Sequence, residues 1–184
     1  MKRKQLIIAI VGMAGAGKSS AARFFKTQGF TILRFGDQTD IGLKEMGLPL
    51  TEGNERQYRE KLRKQLGMSA YAIKIEPRIK TVLKTTNKII LDGLYSWEEY
   101  VYLKKKFPDL LLFCIYTQLD KRYRRLAERK IRSLKLDMAR QRDIAELVNL
   151  NKGNPIALAD YLILNDYSIT ELNKNLSDFL QQLQ

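Results

Sequence analysis

Residues 12–20 read GMAGAGKSS and directly follow the apolar run LIIAIV at 6–11. From Gly12 to Ser19 the spacing is G-x-x-x-x-G-K-[ST], the pattern of a loop that cradles phosphate. Glycines let successive amide groups curl inward around anionic oxygens, where a Cβ would obstruct them. The predicted cradle comprises Gly12, Ala14, Gly15, Ala16, Gly17, Lys18, Ser19 and Ser20. The helix expected from KSSAARFFKTQG adds the partial positive charge of its N-terminus. In this pattern Lys18 bridges the β- and γ-phosphates, and the Ser19 hydroxyl serves Mg²⁺. The chemistry is the gripping of a nucleoside triphosphate as its magnesium complex, with ATP the expected nucleotide.

What such a loop is used for depends on residues further along. NKII and NKGN lack the aspartate of an N-K-x-D guanine reader. The second acidic strand ends ILDG, so Asp92 is followed by Gly93 rather than by the glutamate that polarises water in hydrolytic ATPases. A glycine there admits an acceptor closely, and Asp92 becomes a candidate for both metal and substrate contact. Transfer is favoured over hydrolysis. The chain has no histidine, which excludes Ser-His-Asp triads, Cys-His pairs and the usual zinc clusters. A general base is then a carboxylate, a lysine or a tyrosine. In LDKRYRRLAERKIRS, Arg122, Arg125, Arg129 and Arg132 fall within about 80° of one helical face. Such a row repels itself unless something anionic meets it, and Arg122 and Arg129 have no acid three or four residues away. An unpaired arginine row beside a phosphate loop suits stabilisation of a transferring phosphoryl group. Leu119, Tyr123, Leu126 and Ala127 form a neighbouring stripe expected to dock on the core.

These residues need a scaffold, and the hydropathy pattern supplies one. LIIAIV (6–11), FTILRF (30–35), KIILDG (88–93), LLLFCIY (110–116) and YLILN (161–165) read as strands, mostly continuous in apolarity as in a parallel sheet buried on both faces. Helical stretches lie between them. SWEEYVYLKKKF carries Ser96 and Glu99 at capping-box spacing, and NERQYREKLRKQLG puts Tyr58, Leu62 and Leu66 on one face before stopping at Gly67. The alternation predicts a three-layer α/β/α domain of five parallel strands with right-handed crossovers. The segment 36–87 holds helical and turn signals only, as for a small inserted lobe, and RSLKLDMARQ at 132–141 reads as a charged cap. With 184 residues, 45% hydrophobic and 29% charged, one soluble domain is expected. No stretch is long enough to cross a bilayer and no leader pattern opens the chain, so the cytoplasm is the expected location. The lone Cys114 is expected to be buried and inert. A formal net charge of +13 implies anionic partners.

Taken in order along nearly the whole chain, these motifs resemble P-loop kinases of the nucleoside-monophosphate-kinase superfamily. They are most similar to dephospho-CoA kinases and the archaeal proteins related to them. The likeness runs through the loop at 12–19, FGD at 35–37, LRKQLG at 62–67, LDG at 91–93, RRLAER at 124–129, RQRD at 140–143 and ALADYLILNDYSITEL at 157–172. It implies strand order 2-3-1-4-5, a substrate lobe over about 38–86 and an arginine-bearing lid over about 130–142. It also implies Asp37 as the acid that accepts a hydroxyl proton, Arg63 as the lobe arginine, and Arg125 and Arg129 as lid arginines acting with Lys18 on the transferring group. Two arginines that hold the acceptor phosphate in nucleoside monophosphate kinases are replaced here by Asp40 and by Tyr95 and Ser96. The expected activity is therefore ATP-dependent, Mg²⁺-assisted phosphoryl transfer to a small phosphorylated or nucleotide-type acceptor held near Asp37, Arg63, Asp92 and Gly93. A nucleoside monophosphate kinase is the nearest alternative. A non-catalytic nucleotide-binding regulator and an RNA-binding module are the others, although interleaved stacking aromatics and nucleic-acid motifs are absent. Acceptor identity and oligomeric state are not encoded in these patterns.

Overall fold

The computed structural model describes residues 5–130 and 133–183. Its elements run β1 (Leu6–Val11), α1 (Lys18–Thr27), β2 (Thr31–Arg34), α2 (Asp37–Glu45), α3 (Glu52–Leu66), α4 (Ala70–Val82), β3 (Lys88–Asp92), α5 (Trp97–Lys106), β4 (Leu111–Tyr116), α6 (Leu119–Ala127), α7 (Leu136–Leu150), α8 (Gly153–Ala157), β5 (Tyr161–Leu164) and α9 (Ile169–Gln182). All pairings are parallel and the strand order is β2-β3-β1-β4-β5. The expected sheet order is met, and helices cover both faces. Continuous apolarity has the anticipated cause. Ile7, Ile8, Ala9 and Ile10 of β1 and Ile89, Ile90 and Leu91 of β3 are all buried, because odd and even positions each face a packed layer. One layer joins Phe25 of α1 to Phe113 and to Leu172, Leu176 and Phe179 of α9. The other joins Leu33, Leu91 and Cys114 to Ile75 and Ile79 of α4 and Leu103 of α5. Only β5, at the sheet edge, alternates, with Leu162 and Leu164 exposed.

Capping sets the helix starts. Ser96 and Glu99 form the anticipated reciprocal box: the Glu99 amide donates to Ser96 Oγ at 3.1 Å, and Glu99 Oε2 accepts from the Ser96 amide at 3.2 Å. The helix read from Asn54 onward begins two residues earlier, at Glu52, because the Thr51 hydroxyl accepts from the Asn54 amide. Between β2 and β3 the chain forms three helices, α2 to α4, of which α4 packs on the sheet through Ile75 and Ile79. Helix α7 continues past residue 142 to Leu150. At the far end of the sheet, Asp160 accepts the Leu112 amide at 2.7 Å, tying β5 to β4. Among the described residues no helix is long and apolar enough to cross a membrane.

Candidate functional site

The loop of residues 12–17 leaves the C-terminal end of β1, the central strand, where open α/β sheets collect their ligands. Among the described residues the amides of Ala14, Gly15, Gly17, Lys18 and Ser19 have no main-chain acceptor, whereas Ala16 closes the turn on Met13 O at 3.2 Å. Donors in such number, without main-chain partners at a helix N-terminus, are suited to receiving an anion. Three loop glycines, Gly12, Gly15 and Gly17, are enforced by close neighbours as well as by φ. At Gly15 (φ 81) a Cβ would sit 2.7 Å from Arg122 O, and at Gly17 (φ 102) it would overlap the Asn165 amide nitrogen. Asn165 Nδ2 donates to Ala16 O at 2.8 Å, and Thr117 Oγ1 donates to Ala16 O and Asn165 O, each at 3.0 Å. The ends of β4 and β5 thus clamp the loop from behind. This gives the closing ALADYLILND stretch its physical role, with Asp160 pinning one end of β5 and Asn165 the other.

Lys18 Nζ donates to Gly12 O at 2.8 Å and Met13 O at 3.0 Å, folding back over the loop it serves. Desolvation, reinforced by the ammonium of Lys152, pulls its pKa down to about 7, against the opposing fields of Glu146 and Asp92. The Ser19 side chain is exposed in the first turn of α1, and Ser20 Oγ accepts from Arg23 at 3.1 Å. The two expected carboxylates stand at the ends of adjacent strands. Asp92 closes β3 with its pKa raised by desolvation, and Asp37 opens α2 just after β2. Arg34 spans them, with Nη1 3.9 Å from Asp37 and Nε 3.8 Å from Asp92. Arg78 adds a contact of 3.5 Å to Asp37. Gly93 is buried at φ 90, with the Tyr95 ring against it.

Beside these carboxylates opens a cleft of about 840 Å³, lined by α2, α3, Tyr95 and α7. Arg34, Arg59, Arg63 and Arg142 face it. Arg59 is engaged by Glu52 and Glu55. Arg63 makes no ion pair among the described residues; its Nε is buried without a partner and its guanidinium lies 5.7 Å from the Tyr71 ring centroid. Asp40 and Tyr95 line the cleft, whereas Ser96 is spent on the α5 cap. A second cavity of about 840 Å³ lies at the opposite end of the sheet, around Leu6, Lys104 and Leu180, remote from the loop and the carboxylates.

The arginine row divides. Arg122 is buried, donating to Asp143 at 2.7 Å and Ala14 O at 3.0 Å. The expectation that it lacked an acidic partner is corrected: the partner comes from α7, beyond the reach of local spacing. Arg125 donates to Thr117 Oγ1 at 3.2 Å. Arg129 is exposed, its pKa lowered by desolvation and by the charge of Arg142. Arg132 lies outside the described residues. The docking stripe is also corrected, since Leu126 is buried but Leu119 is 53% exposed and Ala127 is exposed. Rotating the helix toward Arg122 lets that guanidinium hydrogen-bond the phosphate loop. Lys152 and Glu146 carry no sequence signal as site residues, and Arg142 appears only within the RQRD motif; Arg142 and Glu146 line the cleft, and Lys152 lies buried against Glu146. Lys152 and Glu146 are buried and hydrogen-bonded to each other, and Arg142 Nε donates to Glu146 at 2.9 Å. Nothing in their spacing distinguishes them from ordinary helix-surface charges.

Comparison with known proteins agrees with this geometry. The family model described as AAA domain matches residues 8–152. A UPF0200 protein of Pyrococcus abyssi is 31% identical over 97% of both chains, and one of Methanocaldococcus jannaschii is 34% identical over 97% of this chain and 90% of its own. Among solved structures, shikimate kinase from Bacteroides thetaiotaomicron is similar in fold at TM-score 0.62 and 14% identity, covering 96% of this chain and 98% of that one. Dephospho-CoA kinase from Campylobacter jejuni is similar at TM-score 0.61 and 16% identity, covering 98% of each. The family match over residues 8–152 and relatives spanning nearly its full length place this chain in the AAA-domain family, alongside the UPF0200 proteins of archaea.

Proposed function

We propose that this protein is an ATP-dependent phosphotransferase acting on a small anionic, nucleotide-type acceptor, in the manner of a dephospho-CoA kinase. One observation carries the reading: an amide nest with Lys18 at its foot lies within the field of Asp92 and of Glu146 and Arg142, and the latter two line a cleft that four arginines face. The residues fit the magnesium nucleotide. Five loop amides are without main-chain acceptors, a Cβ at Gly15 or Gly17 would intrude on the backing elements, and the Ser19 side chain is exposed beside them. Ser19 and Asp92 would hold the ion, whose bound charge offsets that of the phosphate oxygens. Lys18, Arg125 and Arg129 stabilise charge on the transferring group. Asp37 takes the proton of an acceptor hydroxyl as its oxygen bonds to phosphorus and the bond to the ADP oxygen breaks. Arg34 and Arg78 keep Asp37 oriented. Arg63, with no ion pair among the described residues, holds an acceptor anion, standing in for the arginines replaced at Asp40 and Tyr95. Closure over both ligands excludes water.

The test is transfer of labelled γ-phosphate from Mg-ATP to dephospho-CoA and to each ribo- and deoxynucleoside monophosphate, beside a reaction without acceptor. Label on dephospho-CoA is the expected outcome. Label on a monophosphate instead reassigns the acceptor and removes the base role of Asp37. Label released only to water removes the transferase reading.

A further inference from the structure

Lys152 is 1% exposed, yet it carries an ammonium into the protein interior. A buried cation persists only with a partner, and here the partner is Glu146. The lysine is delivered by a break in the helix. Asn151 ends α7 in the left-handed region at φ 49, turning the chain so that residue 152 points back under α7. Its Nζ also lies 5.1 Å from the ring centroid of Tyr95, which lines the cleft. Glu146 is shared, because Arg142 Nε donates to its other oxygen at 2.9 Å. One buried carboxylate therefore serves two cations. Lys152 is sealed in, whereas the Arg142 side chain is 45% exposed on the cleft wall. Arg142 also stands close enough to Lys18 and Arg129 for its charge to act on both.

The arrangement has a surplus of positive charge, and the surplus sits on the more exposed of the two cationic side chains. If Arg142 leaves Glu146, the Glu146–Lys152 pair remains neutral. Without Lys152, the same movement would strand a buried carboxylate, so Arg142 would stay bound to it. We propose that Lys152 is a positioning residue that releases Arg142 to meet the third phosphate of a bound nucleotide. The inference rests on the nucleotide reading above.

Calorimetry with Mg-ADP and with a magnesium-bound, non-hydrolysable ATP analogue tests it on the full chain. The parent should prefer the triphosphate. Lys152→Met should weaken triphosphate binding by about tenfold, the scale of one charge-assisted contact, and leave Mg-ADP within about twofold. The double variant Glu146→Gln/Lys152→Met, neutral and close in volume, should restore the preference because no carboxylate then retains Arg142. It also preserves the test if the single variant does not fold. Equal weakening of both nucleotides, or a double variant that fails to recover, overturns the inference and indicates a merely structural lysine. A parent that binds both nucleotides equally also overturns it while leaving the nucleotide reading in place. A parent that binds neither overturns both.

Discussion

Lys18 and Arg63 are two enclosed cations that make no ion pair among the described residues. Lys18 rests on two carbonyls of its own loop, in a desolvated position where its charge is penalised. On the proposed reading, arriving phosphates would replace weak partners with strong ones, and the lysine would gain most at the transfer step. Lys18→Ala should lower phosphoryl transfer by about a thousandfold and move the melting temperature by no more than about 3 °C, read by initial rates and thermal unfolding. A variant that turns over normally removes Lys18 from the mechanism. Arg63 is half-buried beside Tyr71, with one nitrogen unpaired. Arg63→Ala should raise the KM for the acceptor by about tenfold to a hundredfold, with the KM for ATP unchanged. Loss in the ATP KM instead would place Arg63 on the nucleotide side. Lys18 was legible from its motif because the spacing is local. The proposed role of Arg63 rests on its making no ion pair among the described residues, which is a property of packing.

The capping box of α5 was readable from Ser96 and Glu99, but its electrostatic cost was not. Glu99 Oε2 accepts the amides of Tyr95 and Ser96, while Oε1 is buried without a partner. Burial raises its pKa from 4.5 to about 7, against the opposing pull of those amides and of Arg63 and Lys152. The folded state therefore binds the proton more tightly than the unfolded chain, and the associated stability is lost as pH rises through the folded pKa. Glu99→Gln should abolish this component. Its melting temperature relative to the parent should rise between pH 5 and pH 8, by an amount on the order of 3 kcal/mol when converted to stability. A difference that stays flat over that range would falsify the assignment. Elsewhere, α6 shows how tertiary contact overrides periodicity. Its arginine row looked unpaired, yet Arg122 meets Asp143 of α7 and packs behind the phosphate loop. The closing motif behaves in the opposite way, since Asp160 and Asn165 were noted as a pattern and acquire a mechanical meaning once β5 lies beside β4.

At the level of the molecule, an α-helical lobe and α7 face one another across the C-terminal edge of the sheet, with the cleft between them. A ligand that binds only this folded arrangement stabilises it by mass action. At a hundred times its dissociation constant, Mg-ATP should add about 2.7 kcal/mol, a rise of about 5–11 °C in melting temperature for a chain of this size. Differential scanning fluorimetry across a nucleotide titration provides the check. An unchanged melting curve, with ATP well above any plausible dissociation constant, would remove the nucleotide site.

The glycine-bearing loop after β1, the parallel sheet and the helical insertion between β2 and β3 were all readable from residue order. Each rests on short-range physics: glycine backbone freedom, runs of apolar residues long enough for a buried strand, and caps spaced by one helical turn. The partnerships of charges were decided only by folding. Arg122 with Asp143, Arg34 between Asp37 and Asp92, and Lys152 with Arg142 on Glu146 mostly join elements distant in sequence or separated by a helix break. A charge looks the same in a sequence whether it ends in water or in the interior. Its worth is set by the local dielectric and by the group it meets there, and both come into being when the layers pack.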